Sequence, residues 1–146
     1  MAAEQLPPFR SDGYLPDGLH ACTESEVVRR FGGPNAVRRR LIRRVRRWCH
    51  LGRQIGAQRL LLDGSFVTAK PEPDDVDAVL WIPTTFGQML QQDVEAAVEL
   101  EEMFTTRQPE ELFAAENGAH WQRWFDFFSR TREPDNRRKG IVEILL

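Results

Sequence analysis

Two short apolar runs flank a glycine-serine turn and a polar loop between residues 60 and 82. The first run is Leu60–Leu62, which Asp63 and Gly64 follow, and the second is Val76–Ile82, which lies between Asp75 and Pro83. Runs of this length between turn residues indicate buried strands rather than helices. The chain is therefore expected to build a sheet around this segment.

Helical periodicity covers most of the remaining chain. Thr23 and Glu26 form the capping-box pattern that starts a helix. An aromatic stripe at helical spacing is typical of a buried helix face: Trp121, Trp124, Phe125 and Phe128. The predicted elements are, in order, helix 24–31, a longer helix from 34, strand 60–62, strand 76–82, helix 86–105, helix 109–117, the aromatic helix and strand 141–146. This order predicts an α/β or α+β domain with a small sheet.

The domain organisation follows from length and from the turn residues. Prolines and glycines break every periodicity in residues 1–22, which are predicted to form an extended arm. Residues 23–146 are expected to form one domain. No apolar run approaches the roughly 20 residues of a membrane span, and two cysteines, Cys22 and Cys49, cannot make a disulfide framework. We therefore expect a cytoplasmic protein that does not enter a membrane.

The polar residues between the two strands carry the candidate chemistry. Asp75 and Asp77 are two apart, so on a strand their side chains point to the same face. Paired carboxylates suit Mg²⁺, which takes the rest of its coordination shell from water and substrate phosphates. Gly64 allows the backbone to approach a phosphate, and Ser65 adds an amide and a hydroxyl. Each motif alone also fits an ordinary solvated turn, so the prediction of a phosphoryl-handling site depends on their combination.

The stretch LLLDGSFVTAKPEPDDVDAVLWI resembles the signature of the nucleotidyltransferase-fold superfamily. That signature is an apolar strand, Gly-Ser, nine to thirteen residues, and then Asp-apolar-Asp-apolar. With its LPPF…LPDGLH arm and its KGIVEI strand, the chain resembles more narrowly an uncharacterised family of small stand-alone bacterial nucleotidyltransferase-like proteins. The resemblance covers most of the chain and implies a minimal nucleotidyltransferase-like fold with a small mixed sheet.

The resemblance also implies roles for individual residues. Asp75 and Asp77 would ligate Mg²⁺ (or Mn²⁺), and Gly64 and Ser65 would hold the phosphates of an NTP. The third carboxylate of the superfamily comes from a later strand, where Glu143 fits the position, although an outward-facing strand Glu is an equally good interpretation. Lys70 lies in the loop between the motifs and can reach a triphosphate or remain solvated. Asp63 before Gly64, and the lack of an Arg after Ser65, depart from the pattern of active transferases.

Charge is divided unevenly along the chain. Residues 1–60 hold twelve arginines against five carboxylates, whereas residues 61–146 hold eight Lys/Arg against seventeen Asp/Glu. Seven of the arginines fall between Arg38 and Arg47 on one predicted helix. Such a helix can bind RNA or DNA through the phosphates or form salt bridges with the acidic half of the chain. An Arg-rich composition also arises from a GC-rich genome.

Two functional hypotheses follow. The first is a metal-dependent nucleotidyltransferase that moves NMP from an NTP onto a protein or RNA hydroxyl. Small stand-alone members of the superfamily are frequently toxin–antitoxin or phage-defence components, which implies a partner protein by analogy. The second is a catalytically inactive module of the same fold that binds a partner protein or RNA through the Arg38–Arg47 helix. The position of Glu143 relative to Asp75 and Asp77 distinguishes the two, since a distant Glu143 favours the inactive module.

Overall fold

A computed structural model describes residues 6–106 and 111–146, and five strands and five helices make up most of these residues. The elements are β1 (Gly18–Cys22), α1 (Glu24–Phe31), α2 (Ala36–Gln54), β2 (Arg59–Asp63), β3 (Asp77–Trp81), α3 (Phe86–Gln91), α4 (Glu95–Thr106), β4 (Glu111–Ala115), α5 (Gly118–Phe128) and β5 (Gly140–Leu145).

The strands form one mixed sheet in the order β1-β5-β2-β3-β4. The central strand β2 is antiparallel to both of its neighbours, β5 and β3. The two outer pairs, β1 with β5 and β3 with β4, are parallel. The predicted α+β class with a small mixed sheet is thereby confirmed.

Side-chain alternation along the strands divides the core into two layers. Leu60 and Leu62 of β2 pack with α1, α2 and α4 on one face of the sheet. Leu61, between them, packs with the aromatic side chains of α5 on the opposite face. Trp121 and Phe128 are buried there, and Trp124 and Phe125 are half-buried, as the aromatic stripe predicts.

Local signals place the starts of the first two helices. At α1 the Thr23 side chain accepts from the Glu26 amide and the Glu26 side chain reaches back to the Thr23 backbone, so the predicted capping box is present. The longer helix starts at Ala36 rather than Pro34, because the Asn35 side chain caps it by accepting from the Arg38 amide. None of the helices within 6–106 and 111–146 has the length and apolar character to cross a bilayer.

Two predicted helices differ from the structure. The continuous helix 86–105 is divided into α3 and α4, since Asp93 takes a φ of 54° between them. The helix predicted from Pro109 is wrong over the described residues, because Glu111–Ala115 form β4 alongside β3. The pairing with β3 overrides the helical preference of the sequence ELFAA. Residues 107–110 lie outside the described part of the chain.

The predicted arm packs against its own domain over residues 6–22. Its last five residues form β1, an edge strand of the sheet beside β5. Leu15 is fully buried, and the amide of Ala69 donates to the carbonyl of Gly13 at 2.9 Å. The arm thus supports the loop that joins β2 to β3.

Candidate active site

A cleft of about 700 Å³ opens where β2 ends and β3 and β5 begin. Five of the six site residues predicted from the sequence line it: Gly64, Ser65, Lys70, Asp75 and Asp77. Its other walls come from the arm and from the segment after α5, which add Tyr14, Arg130, Arg132 and Lys139. Carboxylate and cationic side chains therefore line one cleft.

The turn after β2 is closed around Asp75. The backbone amide and the hydroxyl of Ser65 both donate to Asp75 Oδ1 at 2.9 Å. Among the residues that the structure describes, none donates a hydrogen bond to Oδ2 of the same carboxylate. Gly64 has a φ of 90°, and a Cβ there would lie 3.0 Å from both the carbonyl oxygen and Oδ1 of Asp75. This close approach requires glycine.

Asp77 is the first residue of β3 and lies between two other carboxylates. It pairs with Asp63 across the antiparallel ladder and with Glu111 across the parallel one. Burial and, after it, the charges of Asp75, Asp63 and Glu111 together raise the pKa of Asp77 to about 7, against the opposing charge of Lys139. Repulsion between neighbouring carboxylates contributes to this shift, but burial is its larger cause. A site of this kind takes up a proton or a cation readily.

Lys139 provides a counter-ion for Asp63, the residue that departs from the superfamily pattern. Its Nζ lies 2.8 Å from Asp63 Oδ1, and only 8% of the Asp63 side chain is exposed. Burial raises the pKa of Asp63, and the Lys139 ammonium opposes that shift. Sequence reasoning missed Lys139, because only the strand pairing of β5 with β2 brings the two residues together.

Glu111 was also missed by the sequence analysis. It is the residue of β4 that pairs with Asp77, and paired residues on adjacent strands point to the same face of the sheet. The incorrect helix prediction over 111–115 concealed this position. β3 and β4 share one sequence signal: each begins with an acidic residue, Asp77 or Glu111, that an apolar run follows.

Glu143 is not brought to the Asp75–Asp77 pair. It lies in the middle of β5, where it pairs with Leu61 and Ala21, two positions away from the cleft end of the sheet. Its side chain is 5% exposed and forms an ion pair with Arg59. The Arg59 guanidinium in turn lies over the rings of Trp81 and Trp121. The structure therefore gives Glu143 a part in the core rather than in the cleft.

Lys70 lies at the edge of the cleft with a half-exposed side chain. Its Nζ forms an ion pair with Asp74, and its carbonyl accepts a hydrogen bond from Arg38. The ammonium is therefore near the cleft and free to change partner, since an exposed ion pair contributes little to stability.

Arg38 shapes the loop that carries Lys70. Its guanidinium is buried and donates to four carbonyls, those of Phe31, Phe66, Thr68 and Lys70. The first arginine of the predicted RNA-binding helix is thus turned inward. It fixes the wall of the cleft and does not face solvent.

The donor set fits a metal that needs few protein ligands. No cluster of three or more His, Cys, Asp or Glu side chains suited to a metal is found in 6–106 and 111–146. Asp75 and Asp77 alone provide two oxygen ligands on one side of the cleft. Mg²⁺ is commonly held by one or two carboxylates plus substrate phosphates and water. The site therefore suits a cation that arrives with a nucleotide better than a permanently bound metal.

Comparison with known proteins identifies one family. A sequence model described as "Family of unknown function (DUF6932)" matches residues 7–145. The match includes every cleft residue described above. No curated protein and no solved structure matches the chain.

Proposed function

The chain belongs to this family of unknown function, DUF6932, and from the chemistry of its cleft we propose that it is a metal-dependent nucleotidyltransferase. It would move NMP from an NTP onto a protein or RNA hydroxyl, with Mg²⁺ or Mn²⁺ as cofactor. The proposal keeps the resemblance to the nucleotidyltransferase-fold superfamily. By analogy with small members of that superfamily, the protein would be a bacterial toxin–antitoxin or phage-defence component. It would act in the cytoplasm.

One observation carries the proposal: Gly64, Ser65, Asp75 and Asp77 line the same cleft, with Ser65 bound to Asp75. Asp75 and Asp77 would hold the metal, which when bound neutralises phosphate charge. Gly64 and Ser65 would hold the phosphates, and the lack of a Cβ at Gly64 lets this turn close on Asp75, whose Oδ1 would lie 3.0 Å from a Cβ there. Positioning and charge stabilisation of this kind account for most of the catalysis in phosphoryl transfer.

The cationic wall of the cleft suits the triphosphate. Lys70, Arg130, Arg132 and Lys139 line the cleft together with the carboxylates. In the proposed reaction the acceptor oxygen forms a bond to the α-phosphorus, the bond from that phosphorus to the β-phosphate oxygen breaks, and pyrophosphate leaves. The acceptor proton passes to water, since Asp75 and Asp77 would be occupied as ligands of the metal.

A non-catalytic module is the second candidate. Two observations favour it: Glu143 lies away from Asp75 and Asp77, and the Lys139 ammonium lies beside the carboxylates at 2.8 Å from Asp63. In this case the cleft or the arginine helix would bind a partner protein or RNA without turnover.

The experiment that separates the two is transfer of a radiolabelled nucleotide. The protein is incubated with each α-³²P-labelled NTP, Mg²⁺ or Mn²⁺, and a cell lysate that supplies protein and RNA acceptors. We expect one fraction to be labelled by the wild type and by Asp126→Asn, a control on α5 outside the cleft lining, but not by Asp77→Asn. Absence of label with folded wild-type protein, whose fold is checked by circular dichroism, would contradict the transferase.

A further inference from the structure

We propose that the outer face of α2 binds the sugar-phosphate backbone of an RNA, which makes RNA rather than protein the acceptor. This inference rests on the proposed function, because RNA is an acceptor only if the protein transfers a nucleotide. Binding of RNA to α2 does not itself require turnover. It is carried by the charge, the composition and the position of α2.

Helical geometry gathers the arginines of α2 on one side. The helix holds eight arginines and no Asp or Glu. With about 100° between successive residues, the exposed basic side chains fall within an arc of about 140°. They are Arg39, Arg40, Arg43, Arg46, Arg47 and Arg53. From the first to the last of them the stripe extends about 21 Å along the helix.

The ion pairs of the domain neutralise only part of this stripe. Arg46 and Arg53 share a single carboxylate, Glu24, and Arg47 pairs with Glu99. Within the described ranges, no acidic side chain lies within ion-pair distance of Arg40 or Arg43. The half of α2 that is nearer its start therefore keeps the larger excess of positive charge.

The composition of the face favours a polyanion over a protein partner. Protein interfaces depend on buried aromatic or aliphatic side chains at their centre. The large hydrophobic side chains that are exposed in the described residues are Val98, Phe127 and Leu145, all outside α2. Guanidinium groups match phosphate oxygens in a bidentate manner. A surface of arginines without an apolar centre therefore fits a phosphodiester backbone.

The stripe begins beside the cleft. The Asn35 side chain, which caps α2, donates to the carbonyl of Pro71 at 2.6 Å. Arg38 donates to the carbonyls of Thr68 and Lys70, in the loop that forms one cleft wall. A strand held along α2 therefore runs toward the cleft, where a ribose hydroxyl can meet the nucleotide. RNA offers such a hydroxyl on every nucleotide, whereas DNA does not.

The test measures binding of a fluorescein-labelled single-stranded RNA 20-mer of mixed sequence by anisotropy, without NTP, over a series of KCl concentrations. Arg40→Gln/Arg43→Gln is compared with wild type and with Arg123→Gln/Arg137→Gln, which removes the same charge from exposed sites elsewhere. We expect the first double variant to weaken binding about tenfold and to reduce the salt slope by about 1.4, as loss of two phosphate contacts requires. The control should keep the wild-type slope.

Other outcomes overturn the inference. Equal losses in both double variants would show that only net charge matters. Equal or tighter binding of the DNA 20-mer of the same sequence would overturn the choice of RNA. Displacement of the RNA by a poly-glutamate 20-mer at equal charge concentration would favour an acidic protein.

Failure of this inference is distinguishable from failure of the proposed function. In the nucleotide-transfer experiment, label on proteins but not on RNA would overturn the RNA acceptor and leave the transferase standing. Suppose instead that Arg40→Gln/Arg43→Gln loses RNA binding while neither the wild type nor any variant transfers nucleotide. That result would support the binding surface on α2 and overturn the transferase.

Discussion

Asp77 and Glu111 are the first residues of two parallel strands and pair with each other across them, so both carboxylates point to the same face of the sheet. This relationship places Glu111, rather than Glu143, beside Asp77. It also contributes to the raised pKa of Asp77.

The first prediction compares Glu111→Gln with Glu143→Gln. Removing the charge beside Asp77 should weaken Mn²⁺ binding, in the presence of an NTP analogue, by about 10- to 100-fold. Glu143→Gln should leave that affinity unchanged and instead lower the free energy of unfolding by about 1–3 kcal/mol, because Arg59 loses a charged partner. Isothermal titration calorimetry and urea unfolding measure the two effects. Weaker Mn²⁺ binding in Glu143→Gln alone would contradict the assignment.

The second prediction concerns pH in the absence of metal. The pKa of Asp77 rises from 3.8 to about 7 on folding, so the folded state binds more protons than the unfolded state in that window. The free energy of unfolding should therefore fall as pH rises from about 4 to about 7, and then level off. Urea unfolding in EDTA at pH 5, 6, 7 and 8 gives the free energy of unfolding at each pH. This free energy should fall less steeply with pH in Asp77→Asn than in Asp126→Asn. Identical slopes in the two variants would contradict the shift.

The third prediction is stabilisation by metal. Mg²⁺ or Mn²⁺ with nucleotide should raise the melting temperature of the wild type, since it binds the ionised pair only in the folded state. At a free concentration one hundred times Kd the gain is about 2.7 kcal/mol. Asp75→Asn/Asp77→Asn should show no rise in differential scanning calorimetry. An equal rise in both proteins would place the metal elsewhere.

The fourth prediction tests the turn after β2. Gly64→Ala introduces a side chain at a φ of 90° and 3.0 Å from Asp75, and should lower the free energy of unfolding by about 1–3 kcal/mol. Gly87→Ala is the matched control, because nothing lies within 4 Å of its added Cβ. That control lies in α3 and should be neutral or slightly stabilising. Equal destabilisation of the two variants in urea would show that the turn is not strained.

The fifth prediction tests the buried arginine. Arg38→Met leaves four carbonyls without their donor and should lower the free energy of unfolding by about 3 kcal/mol or more. Arg40→Met, on the exposed face of α2, should stay within about 0.5 kcal/mol of wild type. Hydrogen exchange should also increase in residues 66–70 of the first variant only. Unchanged exchange there would show that Arg38 does not hold the cleft wall.

Local patterns in the sequence predict the parts of the site that are close in the chain. The spacing of Gly64, Ser65, Asp75 and Asp77 suffices to place them together, because one loop joins two strands that pair with each other. The capping box of α1 and the aromatic face of α5 depend on equally short-range rules.

The predictions that were wrong or incomplete depend on the order of the strands in the sheet. The periodicity of the sequence gives no information about that order. Residues 111–115 have the composition of a helix and become a strand only through pairing with β3. Choosing between Glu111 and Glu143 requires knowing that β4, not β5, lies next to β3. The Lys139–Asp63 pair has the same origin, since the two residues are distant in the chain and meet only in the sheet.

The position of β1 has a consequence for the kinetics of folding. β1 pairs with β5, from which it is separated by about 120 residues, so closing this contact carries the largest loop entropy in the sheet. Pairing of β5 with β2 closes a shorter loop of about 80 residues and is expected to form earlier. The arm is therefore expected to dock last during refolding, and the cleft wall that it supports through Gly13 would mature only in that final step.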